Sequence, residues 1–129
     1  MDKNTQLLRQ VHPSFVQANM ISSQVFSITS QVFKPTPKDE NKLSVYNEEK
    51  FSPQESFEHF TISDSNHSVG VVAVTVDECE LESLQVYEDN DPFDGHSVID
   101  YTGHSSNIIE KKAKKLKIIA MNRGWLYKT

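Results

Sequence analysis

The chain has 129 residues and a net charge of −5, a length that suits one domain built around one core. Its four glycines lie too far apart for a phosphate-binding loop, which excludes the classical nucleotide-binding folds. We therefore expect residues 1–129 to form a single domain without a resident nucleotide cofactor, and no other cofactor is indicated.

Three features bear on location. The one cysteine, Cys79, cannot form an intramolecular disulfide, whereas small secreted domains are usually rich in them. The longest apolar run, Val69–Val76, is too short to span a bilayer. Residues 1–10 are polar and lack the apolar segment of a secretory signal. These features predict a cytoplasmic protein without membrane contact.

The charge is divided unevenly along the chain. Residues 107–129 carry seven lysines and arginines against one glutamate, a balance of +6. Since the total is −5, residues 1–106 carry −11, and residues 77–94 alone hold eight acids and no base. Such a chain either neutralises itself by packing the basic part near the acidic part, or presents two faces to different partners.

The first half of the chain predicts strands and one loop. Gln6–Val11 and Leu43–Tyr46 are compatible with half-buried strands. Ser23–Phe26 and Ser30–Phe33 are identical tetrapeptides rich in β-branched and aromatic residues, which favours extended structure with a turn between the copies. The proline-rich, charged segment Lys34–Lys42 predicts a loop.

Two capping boxes predict two short helices. Ser52 with Glu55 begins a helix that should run to Phe60, and Thr75 with Glu78 begins one that should end near Leu84. Around them, further strands are predicted at Ser68–Val74, Gln85–Tyr87 and Ser97–Tyr101, with an acidic loop at Glu88–Gly95.

The last element is a lysine-rich amphipathic helix. Asn107 and Glu110 should cap its start, and Gly124 follows its end. Its apolar stripe consists of Ile109, Ala113, Leu116, Ile119 and Ala120. The predicted fold is therefore α+β: a small mixed or antiparallel sheet of about five to six strands, two short helices and a C-terminal amphipathic helix.

The usual catalytic motifs are missing from the sequence. The five histidines are far apart and match no metal-binding spacing, so no metal site is predicted. There is no nucleophile elbow, and acidic neighbours of Cys79 disfavour its thiolate. One set of residues on successive predicted strands resembles the NAD-holding groups of ADP-ribosyltransferase-like domains. The catalytic candidates are Arg9, His12, Ser22, Ser23, Ser30 and Tyr46, with His96 or Asp100 as the late polar group.

Several segments together resemble a family of small single-domain bacterial proteins to which no activity is assigned. The resemblance covers most of the chain and is carried by Leu8–Phe15, Ser30–Asp39 with its Pro-Thr-Pro-Lys-Asp segment, Leu43–Tyr46 and Glu110–Trp125. It implies a bacterial protein. Beside that pattern, the seven extra residues of the Ser-Gln-Val-Phe duplication look like an insertion.

Two surfaces are candidates for binding. Lys38 and Asp39 lie in the proline-rich loop, and a site is predicted where they converge with His12, Ser30 and His96. The outer face of the last helix carries basic groups that would suit phosphates, namely Lys111, Lys114 and Lys115.

Three functions follow from these observations. The first is a non-enzymatic accessory or interaction protein, because catalytic motifs are missing and two oppositely charged regions suit a charged protein partner. The second is a small enzyme acting on a nucleotide or NAD-like substrate. The third is nucleic-acid binding through the last helix. The sequence leaves the oligomeric state open.

Overall fold

The computed structural model describes residues 1–18 and 26–129, which form three α-helices, a six-stranded sheet and a separate two-stranded hairpin. The strands are β1 (Gln6–Gln10), β2 (Val16–Ala18), β3 (Phe26–Ile28), β4 (Lys42–Asn47), β5 (Gly70–Thr75), β6 (Gln85–Glu88), β7 (His96–Asp100) and β8 (Tyr127–Lys128). The helices are α1 (Pro53–Phe60), α2 (Val76–Leu81) and α3 (Ser106–Arg123). Strand order is β6-β7-β4-β1-β5-β8, antiparallel throughout, so the predicted α+β class is confirmed.

The sheet buries side chains on both faces. Because successive residues of a strand point to opposite sides, β1 directs Leu7 to one face and Leu8 to the other, and both are fully buried. On the first face lie α2, α3 and a 3-10 turn at Ser30–Phe33. On the second face lie α1 and the segment 89–95 that joins β6 to β7.

Both predicted capping boxes are present. The Ser52 hydroxyl accepts from the Glu55 amide while the Glu55 carboxylate accepts from the Ser52 amide, and Thr75 with Glu78 repeats the pattern. The first helix ends at Phe60 as predicted. The second ends at Leu81 rather than near Leu84, because Ser83 adopts a left-handed conformation with φ of 59°.

The last helix begins earlier than predicted. Ser105, not Asn107, caps it by accepting a hydrogen bond from the amide of Ile108. Glu110 instead forms an ion pair with Lys34, at 2.9 Å. The apolar stripe is confirmed, since four of its members are buried and Ile119 is partly buried; the buried ones are Ile109, Ala113, Leu116 and Ala120.

The second copy of the Ser-Gln-Val-Phe repeat is a 3-10 turn, so the extended structure predicted for it is wrong. Val32 and Phe33 are consecutive, yet both are buried in the core of the first face. A strand would have sent them to opposite faces, whereas a turn places both under α3. The Tyr101 hydroxyl donates to the Phe33 carbonyl at 2.6 Å and fixes the turn. The first copy falls on Ser23–Phe26, of which residues 23–25 lie outside the described residues.

A bidentate ion pair joins α2 to the end of α3. Arg123, in the last turn of α3, donates to both carboxylate oxygens of Glu78 at 2.9 Å, and also to the carbonyl of Ala73. Burial opposes ionisation of Glu78, but the hydrogen bonds from Arg123 and Thr75 outweigh it and lower the pKa of this carboxyl below 4.5. The pair therefore stabilises the folded state wherever Glu78 is ionised.

Replacing Glu78 by Gln should cost roughly 1–3 kcal/mol of unfolding free energy at neutral pH, because Arg123 loses a charged partner. The pKa of Glu78 is lower in the folded protein than in the unfolded chain, where it is 4.5. The ionised carboxylate therefore stabilises the fold above that pH, and this stability is lost as the pH falls through the folded-state pKa. Urea unfolding across pH should thus show a weaker acid dependence for Glu78→Gln. Asp94→Asn, which removes an exposed pair with Lys50 at 3.6 Å, is the control and should change little. An unchanged acid slope in Glu78→Gln would contradict the assignment.

Candidate functional site

The sheet opens at its centre. Strands β1 and β4 pair at Leu7 with Asn47 and at Leu8 with Tyr46, and their pairing stops there although both strands continue. Arg9 spans the gap, since its Nη1 donates to the Ser44 carbonyl at 3.0 Å and its Nε to the Val32 carbonyl at 2.7 Å. The guanidinium thus satisfies carbonyl groups near the point where the backbone ladder has ended.

A cleft of about 540 Å³ lies over this opening on the second face. We call it the β1–β4 cleft. Its floor comes from β1 and β4, and its walls come from the end of α1 with the residues after it, from Pro92 and Phe93, and from His96 on β7. The lining residues are Leu8, Arg9, Gln10, Ser44, Val45, Tyr46, His59, Phe60, Ile62, Ser63, Asn66, Pro92, Phe93 and His96.

Aromatic rings form one wall of the cleft. Tyr46 stacks on Phe93 with ring centroids 5.0 Å apart, and His59 lies 4.5 Å from Phe93. The Tyr46 hydroxyl and His59 Nδ1 are 2.9 Å apart, and burial raises the pKa of Tyr46 to about 12. The hydroxyl therefore stays protonated at neutral pH, and the wall offers flat apolar surface with fixed polar groups at its edge.

A serine and a histidine meet at the base of the cleft. Ser44 on β4 and His96 on β7 share a face, and Ser44 Oγ lies 3.0 Å from His96 Nε2. The other ring nitrogen, Nδ1, lies 2.9 Å from the Asp89 carbonyl oxygen and 4.0 Å from a carboxylate oxygen of the same residue. Ser44 is exposed, whereas His96 is only 9% exposed, so the histidine is fixed and the hydroxyl is accessible.

Arg9 places a positive charge at the floor of the cleft, where its guanidinium lies in the gap between β1 and β4 and reaches the first-face turn at Val32. Burial lowers its pKa to about 10, against the opposing influence of Tyr101 and Asp39, and the group is still a cation at neutral pH. Within residues 1–18 and 26–129, no carboxylate lies within ion-pair distance of its guanidinium. A partly buried cation without an anionic partner is suited to hold an anion from solution.

The structure brings together only part of the predicted catalytic set. Arg9, Tyr46 and His96 line the same cleft. His12 is exposed, contacts Ser14 at 2.7 Å, and borders a separate hollow of about 120 Å³. Ser30 lies with α3 on the other face and donates to Glu110 at 3.2 Å.

The predicted convergence of His12, Ser30, Lys38, Asp39 and His96 is therefore wrong. Lys38 and Asp39 form an exposed 3-10 turn in which Asp39 accepts a hydrogen bond from Thr36 at 2.9 Å. The proline-rich loop contributes no residue to the cleft lining. Asp100, the alternative late acid, accepts from Tyr87 at 3.0 Å, and Ser22 and Ser23 lie outside the described residues.

Sequence reasoning missed Ser44, His59 and Phe93. Ser44 is the polar member of an alternating strand, a pattern that also describes a solvated residue on an exposed face. The available signal was its spacing from Tyr46, because residues two apart in a strand share a face. His59 and Phe93 come from a helix and a loop, whose approach to β4 depends on long-range packing.

The basic helix and the acidic segment make contact. Lys112 donates to the Glu82 carbonyl, Lys115 forms an ion pair with the Glu82 carboxylate at 3.4 Å, and Arg123 pairs with Glu78. Part of the charge separation seen in the sequence is thus neutralised within the chain. Lys111, Lys114 and Lys115 remain on the exposed side of α3.

The described residues contain neither a metal-binding cluster nor a membrane-spanning helix. Three or more histidine, cysteine or carboxylate side chains do not come close enough anywhere in this part of the chain to hold a metal ion. Its helices include none with the length and apolar character needed to cross a membrane. In comparisons with family models, curated proteins and solved structures, nothing matched this chain.

The thiol of Cys79 should be inert in the folded protein. Burial, with Glu78 and Glu80 nearby, raises its pKa to about 12, so thiolate is scarce at neutral pH. Iodoacetamide at about pH 8 should leave the native protein unmodified by mass spectrometry, and should alkylate it in concentrated urea, where the pKa returns to an ordinary value near 8.5. Alkylation of the native protein as fast as of the unfolded chain would contradict this.

Proposed function

We propose that this domain binds a small organic anion with an aromatic body in the β1–β4 cleft. The observation that carries the proposal is that one cavity is lined by the stacked rings of Tyr46 and Phe93 and by Arg9, a cation without an ion-pair partner among the described residues. Its volume of about 540 Å³ falls within the roughly 300–1,000 Å³ typical of small-molecule sites. Stacking would hold the flat part of the ligand, and the guanidinium would hold the anionic part.

A nucleotide-like molecule satisfies both requirements, because it joins a flat base to a phosphate. This supports the ligand class of the second hypothesis drawn from the sequence. Of the residues which that hypothesis named, Arg9, Tyr46 and His96 line the cleft, whereas His12 and Ser30 do not. The only cysteine, Cys79, is a free thiol, whereas small secreted domains are usually rich in disulfides, and we therefore propose a cytoplasmic location.

Thermal-shift measurements should separate charged from neutral aromatic ligands. AMP should raise the melting temperature more than adenosine does, because only AMP offers an anion to Arg9. The effect should shrink with added salt, since exposed electrostatic contacts are screened within a Debye length of about 8 Å at physiological ionic strength. NAD and 8-anilinonaphthalene-1-sulfonate extend the panel. Equal shifts with AMP and adenosine, or none with any of these compounds, would refute the proposal.

Two matched variants locate the binding. Ile62 lines the cleft and is 78% exposed, and Leu81 is 75% exposed but lies on α2, away from the cleft. Ile62→Glu should weaken AMP binding by roughly tenfold or more, because a carboxylate near the cleft repels the anion. Leu81→Glu should leave binding unchanged. Neither substitution removes a buried side chain, so both proteins should fold.

A second candidate, binding of a protein partner, is favoured by the open edge of the sheet. Among the described residues β6 pairs only with β7, which leaves its outer edge unpaired. A hollow of about 570 Å³ runs beside this edge, and the exposed acid Glu80 lines it. We propose that an extended, lysine-rich segment of another protein adds to β6 as a further strand. This is the form of interaction that best suits the acidic half of the chain.

A peptide of alternating lysine and valine tests the edge directly. Its fluorescence anisotropy should rise on titration with the protein, and binding should weaken with salt. The variant Glu80→Lys should weaken this binding, because it replaces an acid beside the edge with a base. Glu58→Lys, an exposed acid on α1, is the control and should retain it. Equal loss in the control would show that net charge, rather than the β6 edge, attracts the peptide.

A further inference from the structure

The contacts of His96 define which of its nitrogens carries hydrogen. A carbonyl oxygen can only accept, so the 2.9 Å contact with Asp89 assigns the hydrogen to Nδ1. Nε2 then has a free lone pair, and the Ser44 hydroxyl, at 3.0 Å, donates to it. An accessible hydroxyl thus lies beside a base whose other nitrogen is held by a third group, the arrangement that activates serine nucleophiles.

We propose that Ser44 is a nucleophile activated by His96, and that the β1–β4 cleft hydrolyses a small ester with an aromatic body and an anionic group. This inference rests on the proposed function, since the ester must first bind in the cleft. It adds that the bound molecule reacts, and it names the reacting atoms.

The reaction proceeds in two steps. Ser44 Oγ attacks the ester carbonyl carbon while His96 Nε2 takes the hydroxyl proton; the ester C–O bond then breaks, and the alcohol leaves with that proton. Water next attacks the acyl-serine, His96 takes a proton from the water, and the proton returns to Ser44 as the acid departs. One ester and one water give one acid and one alcohol.

The surroundings of Ser44 suit this role. Arg9 donates to the Ser44 carbonyl, so a positive charge lies close to the place where a carbonyl oxygen would become negative. Asp89 acts as a positioning residue, because its carbonyl fixes the imidazole. Ser106, at the start of α3, is exposed and lies outside the cleft, and no histidine contact is described for it. It therefore serves as a control serine without a base.

Phenylmethanesulfonyl fluoride is a suitable probe, since it is a small aromatic electrophile that traps activated serines. Ser44 Oγ would bond to sulfur, fluoride would leave, and His96 would take the proton. Mass spectrometry with peptide mapping should place one label on Ser44 in the wild-type chain. Ser44→Ala should abolish the label and Ser106→Ala should keep it. Prior saturation with 8-anilinonaphthalene-1-sulfonate should slow the labelling.

The role of His96 has its own readouts. His96→Gln should lower the labelling rate by roughly 100-fold, the usual scale of general-base assistance. A merely structural Ser44–His96 contact would instead leave the labelling rate of a folded His96→Gln chain unchanged. Hydrolysis of mono-4-nitrophenyl succinate, whose free carboxylate suits Arg9, should exceed that of 4-nitrophenyl acetate and require Ser44.

Several results would overturn the inference while leaving the proposed function intact. One is a wild-type protein that binds AMP or the naphthalene sulfonate but takes no label on Ser44. Equal labelling of Ser44 and Ser106, or labelling of a folded His96→Gln at the wild-type rate, would also overturn it. A failure of all these ligands to bind would instead refute the proposed function on which the inference rests.

Discussion

The separation of β1 from β4 beyond Leu8 and Tyr46 is the constraint on which the candidate site depends. A continuous ladder would close the sheet surface below the cleft, and carbonyl groups of β4 would be paired with backbone amides. Arg9 replaces part of that pairing with its own donors to Ser44 and Val32. Since a guanidinium has five donor hydrogens, two carbonyls leave several unused. The same side chain thus maintains the opening and supplies the charge beside it.

The parts of the fold that could be predicted are those encoded within a few residues. The capping boxes at Ser52 and Thr75 depend on contacts three residues apart, and the structure contains both. The burial of Gly70–Thr75 on both faces follows from its β-branched composition. By contrast, the turn at Ser30–Phe33 is imposed by α3, which lies some 80 residues further along the chain, as its Ser30 to Glu110 contact shows. Local propensity for extended structure was overridden by that packing.

In the candidate site, too, the residue types could be predicted from the sequence, whereas their arrangement could not. Arg9, Tyr46 and His96 were singled out because their chemical types suit catalysis and because they lie on strands. The sequence could not show that these residues meet, because their meeting depends on strand order. In the sheet, β7 lies between β6, which precedes it in sequence, and β4, which is distant in sequence. Ser44 was missed for a related reason: only the register that sets Tyr46 opposite His96 brings its hydroxyl to an imidazole.

The way in which each face is covered explains where the cleft lies. On the first face, α3 packs against β5 and the turn at Ser30–Phe33, and α2 packs against β5 and β6. On the second face, the eight residues of α1 pack mainly against β1, β5 and β8. The 89–95 segment adds Phe93 over β4 and β7, but the space between it and α1 stays open. The cleft lies between α1 and the 89–95 segment, where neither covers the second face. The pairing of β1 with β4 ends at the same place, so the gap in the sheet, the Arg9 guanidinium and the Ser44–His96 pair all lie at this cleft.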